Sequence, residues 1–180
     1  MRIPKTIFQL TVSLVVIAAA AQAPKQMSDS AYIKLALSAA PKGVAANAAV
    51  ARMESDGSMR TLRPGSNGFT CMIIGTDKMC SDANSMEFMH AMMTHNPPPE
   101  KIGVSYMLAG DDGASNTDPY ATAKTADNHW VKTGPHIMIL GAGAKTLGFT
   151  EEKDPDPSKP YMMWAGTPYE HAMIPVGSPK

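Results

Sequence analysis

Cysteine, aromatic side chains and any surplus of charge are scarce in this sequence. Sixteen Lys and Arg balance sixteen Asp and Glu across 180 residues, so there is no basic excess of the kind a dedicated nucleic-acid binder carries. Aromatic residues make up 6%. No unit recurs at a fixed period, which argues against solenoids and propellers. Beyond the first segment no apolar run is long enough to span a bilayer. Several catalytic signatures are missing too. There is no H-E-x-x-H. Gly141–Thr146 lacks the glycine before Lys145 that a phosphate loop needs, and Thr146 stands where a dinucleotide fingerprint has its third glycine. Gly103–Met107 has no second glycine, so it is not a nucleophile elbow.

The first 23 residues read as a secretory signal. Arg2 and Lys5 supply the positive start, Ile7 to Ala21 the apolar run, and Ala18–Ala23 the small residues of a cleavage region. Cleavage falls between Ala21 and Ala23, because Pro24 opposes cutting directly after Ala23. The expected location is periplasmic or secreted. The rest, residues 24–180, then carries two more acids than bases and has no stable membrane span. An oxidising compartment favours pairing the only two cysteines, Cys71 and Cys80. With no second cysteine pair they make a poor zinc signature.

Residues 24–180 read as one α+β domain. The expected architecture is a mostly antiparallel sheet of five to seven short strands, with two or three helices on one face or end. Ser28 or Ser30 caps a helix to about Ala40, stopped by Pro41 and Gly43. Val50–Glu54, Met59–Arg63 and Phe69–Ile74 read as a β-meander, with turns at Asp56-Gly57 and Pro64–Gly68. A second helix covers Asp82 to Thr94 and ends before Pro97-Pro98-Pro99. Further strands are expected at Ile102–Ala109, His136–Leu140, Tyr161–Trp164 and His171–Val176. Gly110–Gly134 is a long polar stretch without periodicity.

Methionine is abundant, with 15 residues. On the second helix Met86, Met89 and Met93 share a face with His90 beside them, a pattern that suits either core packing or a soft metal ion. In the last third, His136-Ile137-Met138 and His171-Ala172-Met173 both read H-x-M at the start of a strand. Residues two apart on a strand point the same way, so each pair presents an imidazole and a thioether together. If the two strands are neighbours, His136, Met138, His171 and Met173 converge on a site suited to copper, and His129 could add a third imidazole. The plainer alternative has His capping each strand and Met filling the core. Asp111–Asp118 is rich in oxygen ligands, which suits calcium or ordinary turns. Asp118, Asp127 and His129 are the candidates for acid–base catalysis. Trp130, Trp164 and Tyr169 suit either a pocket wall or the core.

Several strings of the chain resemble a family of exported bacterial proteins with no assigned activity. They are Ser66–Cys71, Gly103–Gly110, Ala114–Thr122, Gly134–Met138 and Met163–Val176. The resemblance implies bacterial origin, export and one domain, and brings no ligand or catalytic residue. The leading expectation is therefore an exported protein that binds a small ligand, with copper as the candidate. The alternatives are a small periplasmic hydrolase built on an Asp/His site and a structural or partner-binding module, whose protein partner the sequence does not identify.

Overall fold

The computed structural model describes residues 27–177. The expected signal segment, 1–23, lies outside the described residues. Three α-helices, one 3-10 helix and ten strands among the described residues follow local signals to different degrees. Helix α1, Asp29–Leu37, starts where the Ser28 hydroxyl accepts the Ala31 N–H, with Asp29 in its first turn complementing the helix dipole. A single helical turn, α2, spans Lys42–Ala45 just after Pro41. Strands β1 (Ala49–Met53), β2 (Met59–Arg63), β3 (Phe69–Ile74) and β4 (Asp77–Asp82) lead into helix α3, Ala83–Met93. The Asp82 carboxylate caps α3 by accepting the Ser85 N–H, and its second oxygen accepts the Val104 N–H. One side chain thus starts the helix and ties it to the next strand. The remaining strands are β5 (Gly103–Met107), β6 (Ala114–Ser115), β7 (Trp130–Val131), β8 (His136–Leu140), β9 (Tyr161–Met163) and β10 (His171–Pro175), with a 3-10 helix at Ala142–Leu147.

Eight strands form one sheet in the order β2-β1-β3-β4-β5-β8-β10-β9, while β6 and β7 make a separate two-stranded ribbon. The architecture is α+β and mostly antiparallel, as expected, but the sheet has eight strands rather than five to seven. The strand missing from the expectation is β4. Its sequence carries Asp77, Lys78, Ser81 and Asp82, which reads as a polar connector. It is held as a strand by neighbours on both sides, β3 and β5.

The first three strands are not a meander. β3 pairs with β1, in parallel, rather than with β2. The Pro64–Gly68 turn folds back across the start of β1. The Ser66 N–H donates to the Asn47 carbonyl, and Gly65 lies so close to the Ala48–Ala49 backbone that a Cβ would collide with it. The chain therefore enters β3 on the far side of β1.

The helices also divide between the two faces of the sheet. Strand alternation sends Val50, Cys71 and Cys80 to one face, where Tyr32 and Ala36 of α1 cover them. It sends Met72, Met79, Met107, Met138 and Met173 to the other, where Phe88 and Met89 of α3 cover them. Gly103 allows α3 to settle onto β5, since a Cβ there would collide with the Ser85 backbone. Among the described residues no helix is long and apolar enough to cross a membrane.

Cys71 and Cys80 face each other across β3 and β4 and are joined by a disulfide. Both are buried. Replacing both with Ala is expected to lower the unfolding free energy by about 2–3 kcal/mol, the entropy of the small loop released. Urea unfolding of the variant against the oxidised parent measures it, and an unchanged midpoint would refute it.

Candidate functional site

β8 and β10 are adjacent and antiparallel, with Met138 directly opposite Met173. The two H-x-M pairs therefore share one face. His136 lies opposite Pro175, and continuing the register sets His171 beside Leu140. The thioethers occupy the middle of this patch and the imidazoles its two diagonal ends. All four side chains are buried, His136 completely. The structure brings these four residues to one layer but does not converge the two imidazoles, which sit four residues, roughly 13 Å, apart along β8 on either side of the methionine pair.

Each imidazole is oriented by its own chain. Nδ1 of His136 is 2.7 Å from the Gly134 carbonyl, and Nδ1 of His171 is 3.0 Å from the Tyr169 carbonyl. A carbonyl only accepts, so the proton sits on Nδ1 and Nε2 keeps its lone pair. Burial drives both rings toward the neutral form. It pushes His136 below the usual imidazole range and His171 down to about 4, with the His136 ring adding a smaller lowering effect on His171. The Nε2 of His136 is buried with no hydrogen-bond partner. An unsatisfied buried acceptor costs roughly 1–3 kcal/mol, so this nitrogen is a lone pair held in place at a cost to the fold.

Around it lie thioethers that the sequence reading did not single out. Met107 on β5 is directly opposite His136. Continuing the Cys80–Tyr106 pairing puts Met79 beside Met107, and Met79 in turn faces Met72. A row of three buried methionines thus crosses the sheet and ends beside His136. At the other end His171 packs edge-on against Phe88 and Trp164, with ring centroids 6.2 and 4.8 Å away, and Met163 lies opposite it. Met107 was invisible as a neighbour of His136 because strand order is a long-range property. The only local hint was its place at the end of an alternating strand.

The chemistry of this layer is soft and uncharged. Thioether sulfur and neutral imidazole nitrogen suit Cu(I). An Nδ1–H held by a backbone carbonyl is the usual outer-shell support of a ligating histidine. Among the described residues no group of three or more His, Cys, Asp or Glu side chains could hold a metal ion, so a metal site here requires methionine ligands.

The other candidates lie elsewhere. His129 is at the surface, with Nδ1 2.9 Å from an Asp154 carboxylate oxygen. Asp118 and Asp127 are exposed. Asp118 accepts the Tyr120 N–H two residues on, which is a turn bond. The partner of His129 is thus neither of the two aspartates, and His129 stands outside the buried methionine layer. The polar tips of Trp164 and Tyr169 are satisfied by the Ser115 and Asn96 carbonyls, which fits the core role. Much of the oxygen-rich block is engaged in loop bonds, although the buried Oδ1 of Asn116 has no partner. Asp111 accepts the Gly113 and Thr133 N–H groups, Asp112 pairs with Lys132, and Asn116 donates to the Glu152 and Lys153 carbonyls. Comparison with protein-family models, with curated proteins and with solved structures produced no match to this chain.

Asp111 supplies a pH test of the loop that covers this layer. Burial pushes its carboxyl up to about 6. A raised carboxyl pKa means the folded state holds its proton more tightly than the unfolded state does. That contribution is complete below the ordinary value near 3.8 and is lost as pH rises through 6. Asp111→Asn keeps an oxygen acceptor without the charge. It is expected to be more stable than the parent at pH 7.5 by about 1–2 kcal/mol, allowing for partial solvent screening. The advantage should vanish below pH 4, as read by urea unfolding at both values.

Proposed function

We propose that this chain is an exported protein that binds a soft, monovalent metal ion, Cu(I), between β5, β8 and β10. The observation that carries the reading is the unpartnered, buried Nε2 of His136 on a sheet face that the residue shares with Met107, Met138 and Met173. His136 supplies the nitrogen ligand and the neighbouring thioethers supply sulfur. His171 lies at the far end of the methionine pair, four residues or roughly 13 Å along the sheet from His136, and stands outside the proposed ligand set.

The charge of the ion follows from the setting. The desolvation cost of a buried ion grows with the square of its charge, so a monovalent ion faces roughly a quarter of the cost of a divalent one. None of the proposed ligands carries a charge to offset a second positive unit. Export rests on residues 1–23 and fits the oxidised cysteine pair. No comparable observation favours the hydrolase reading, because His129, Asp118 and Asp127 are not assembled with a nucleophile.

The test is a competition titration of the mature chain against a chromophoric Cu(I) chelator without oxygen. The expected result is one Cu(I) per chain. His136→Leu should weaken binding by about 10–100-fold or more, the usual range for damage to a metal site. The same variant should change the stability of the metal-free protein little, because removing the unsatisfied Nε2 offsets the loss of the Nδ1–H bond to the buried Gly134 carbonyl. Unchanged affinity, or a large loss of metal-free stability with unchanged affinity, would defeat the assignment.

A further inference from the structure

The proposed site is sealed, and α3 is part of its cover. Met86, Met89 and Met92 of α3 pack in the same cluster as Met138 and Met173. Met86, Met89, His90 and Met93 occur at the i, i+3, i+4, i+7 spacing that places them on one helix face. That face straddles the boundary of the molecule. Met89 is buried, Met86 is half-buried, His90 is exposed, and Met93 is 52% exposed. Four soft or borderline ligands therefore run as one strip from solvent to the edge of the buried layer. A single exposed methionine needs no explanation. A graded strip that ends on a thioether layer is a different arrangement, because successive ligands lie one helical turn apart or closer.

We propose that this strip is the entry route of the metal: Cu(I) is captured at His90 and Met93 and passed through Met86 and Met89 to the layer containing His136. The inference rests on the copper reading above and adds to it a second, exchangeable site of different role. Each transfer is a ligand exchange in which one Cu–S or Cu–N bond forms as another breaks. The ion remains Cu(I), and no proton or electron changes hands. Thioethers suit this step because they are uncharged and sit on flexible side chains.

His90 and Met93 are exposed, so they can be changed without disturbing the core. The experiment is stopped-flow transfer of Cu(I) from a chromophoric chelate to the mature protein, comparing the parent with His90→Ala/Met93→Leu and following equilibrium affinity in parallel. Loading of the double variant is expected to slow by about tenfold, with affinity kept within about twofold, since route and resident site are separate. Loading at the parental rate would overturn the entry route and leave the buried site standing. A fall in affinity equal to the fall in rate would also overturn it, by making His90 and Met93 resident ligands. No uptake by the parent would sink the buried-site reading and this inference together.

Discussion

Along β8 residues two apart point the same way, and its pairing with β5 and β10 leaves no freedom about which neighbours His136 and Met138 meet. A slip of one residue would turn both side chains to the opposite face, where Met162 and Ala172 pack beneath Ala144 of the 3-10 helix. That register is the constraint on which the arrangement depends. It puts Met138 against Met173 and Met107 against His136, and it leaves the imidazole with a backbone acceptor on Nδ1 and no partner on Nε2. The face that would suffer most from a slip is the one rich in large side chains, so the core that stabilises the register is the same core that holds the lone pair.

The two faces of the sheet differ in physical character. Beneath α1 the core is built from small residues, Ala36, Ala39, Ala48 and Val50, together with the bridged cysteines. Small side chains allow close approach and little rearrangement. Beneath α3 the core is built largely from methionine, whose unbranched thioether adapts to irregular space. One side of the sheet is therefore built from small, covalently pinned side chains and the other from flexible ones. Such a division suits the proposed entry of an ion on the methionine side.

The helix termini were legible in the sequence because their causes are local. Asp82, where the sequence starts the second helix, caps α3, and Ser28 caps α1. The repeated H-x-M pattern marked the right strands, since side-chain parity is also local. The adjacency of β8 and β10 was stated only as a condition, because strand order depends on contacts remote in sequence. For the same reason Met107 was not paired with His136, and β3 was placed beside β2 instead of β1. The polar strand β4 was hidden by Asp77, Lys78 and Asp82, whose side chains serve the Asp112 N–H, the surface and the α3 cap. The role of His129 was misleading because its partner, Asp154, lies 25 residues away in a proline-rich loop.

The Cys71–Cys80 bridge also settles which sulfur atoms can compete for a soft ion. A free thiolate would outbid any thioether, and these two cysteines alternate along β3 and β4 with Met72 and Met79 on the other side of the sheet. Once oxidised they offer no thiolate, so the thioethers meet no rival within the fold. In the proposed Cu(I) reading, loading would then release no proton from sulfur, and the contribution of the sulfur ligands to affinity would not depend on acidity. Oxidation of one pair of sulfurs would thereby reserve such an ion for the other kind.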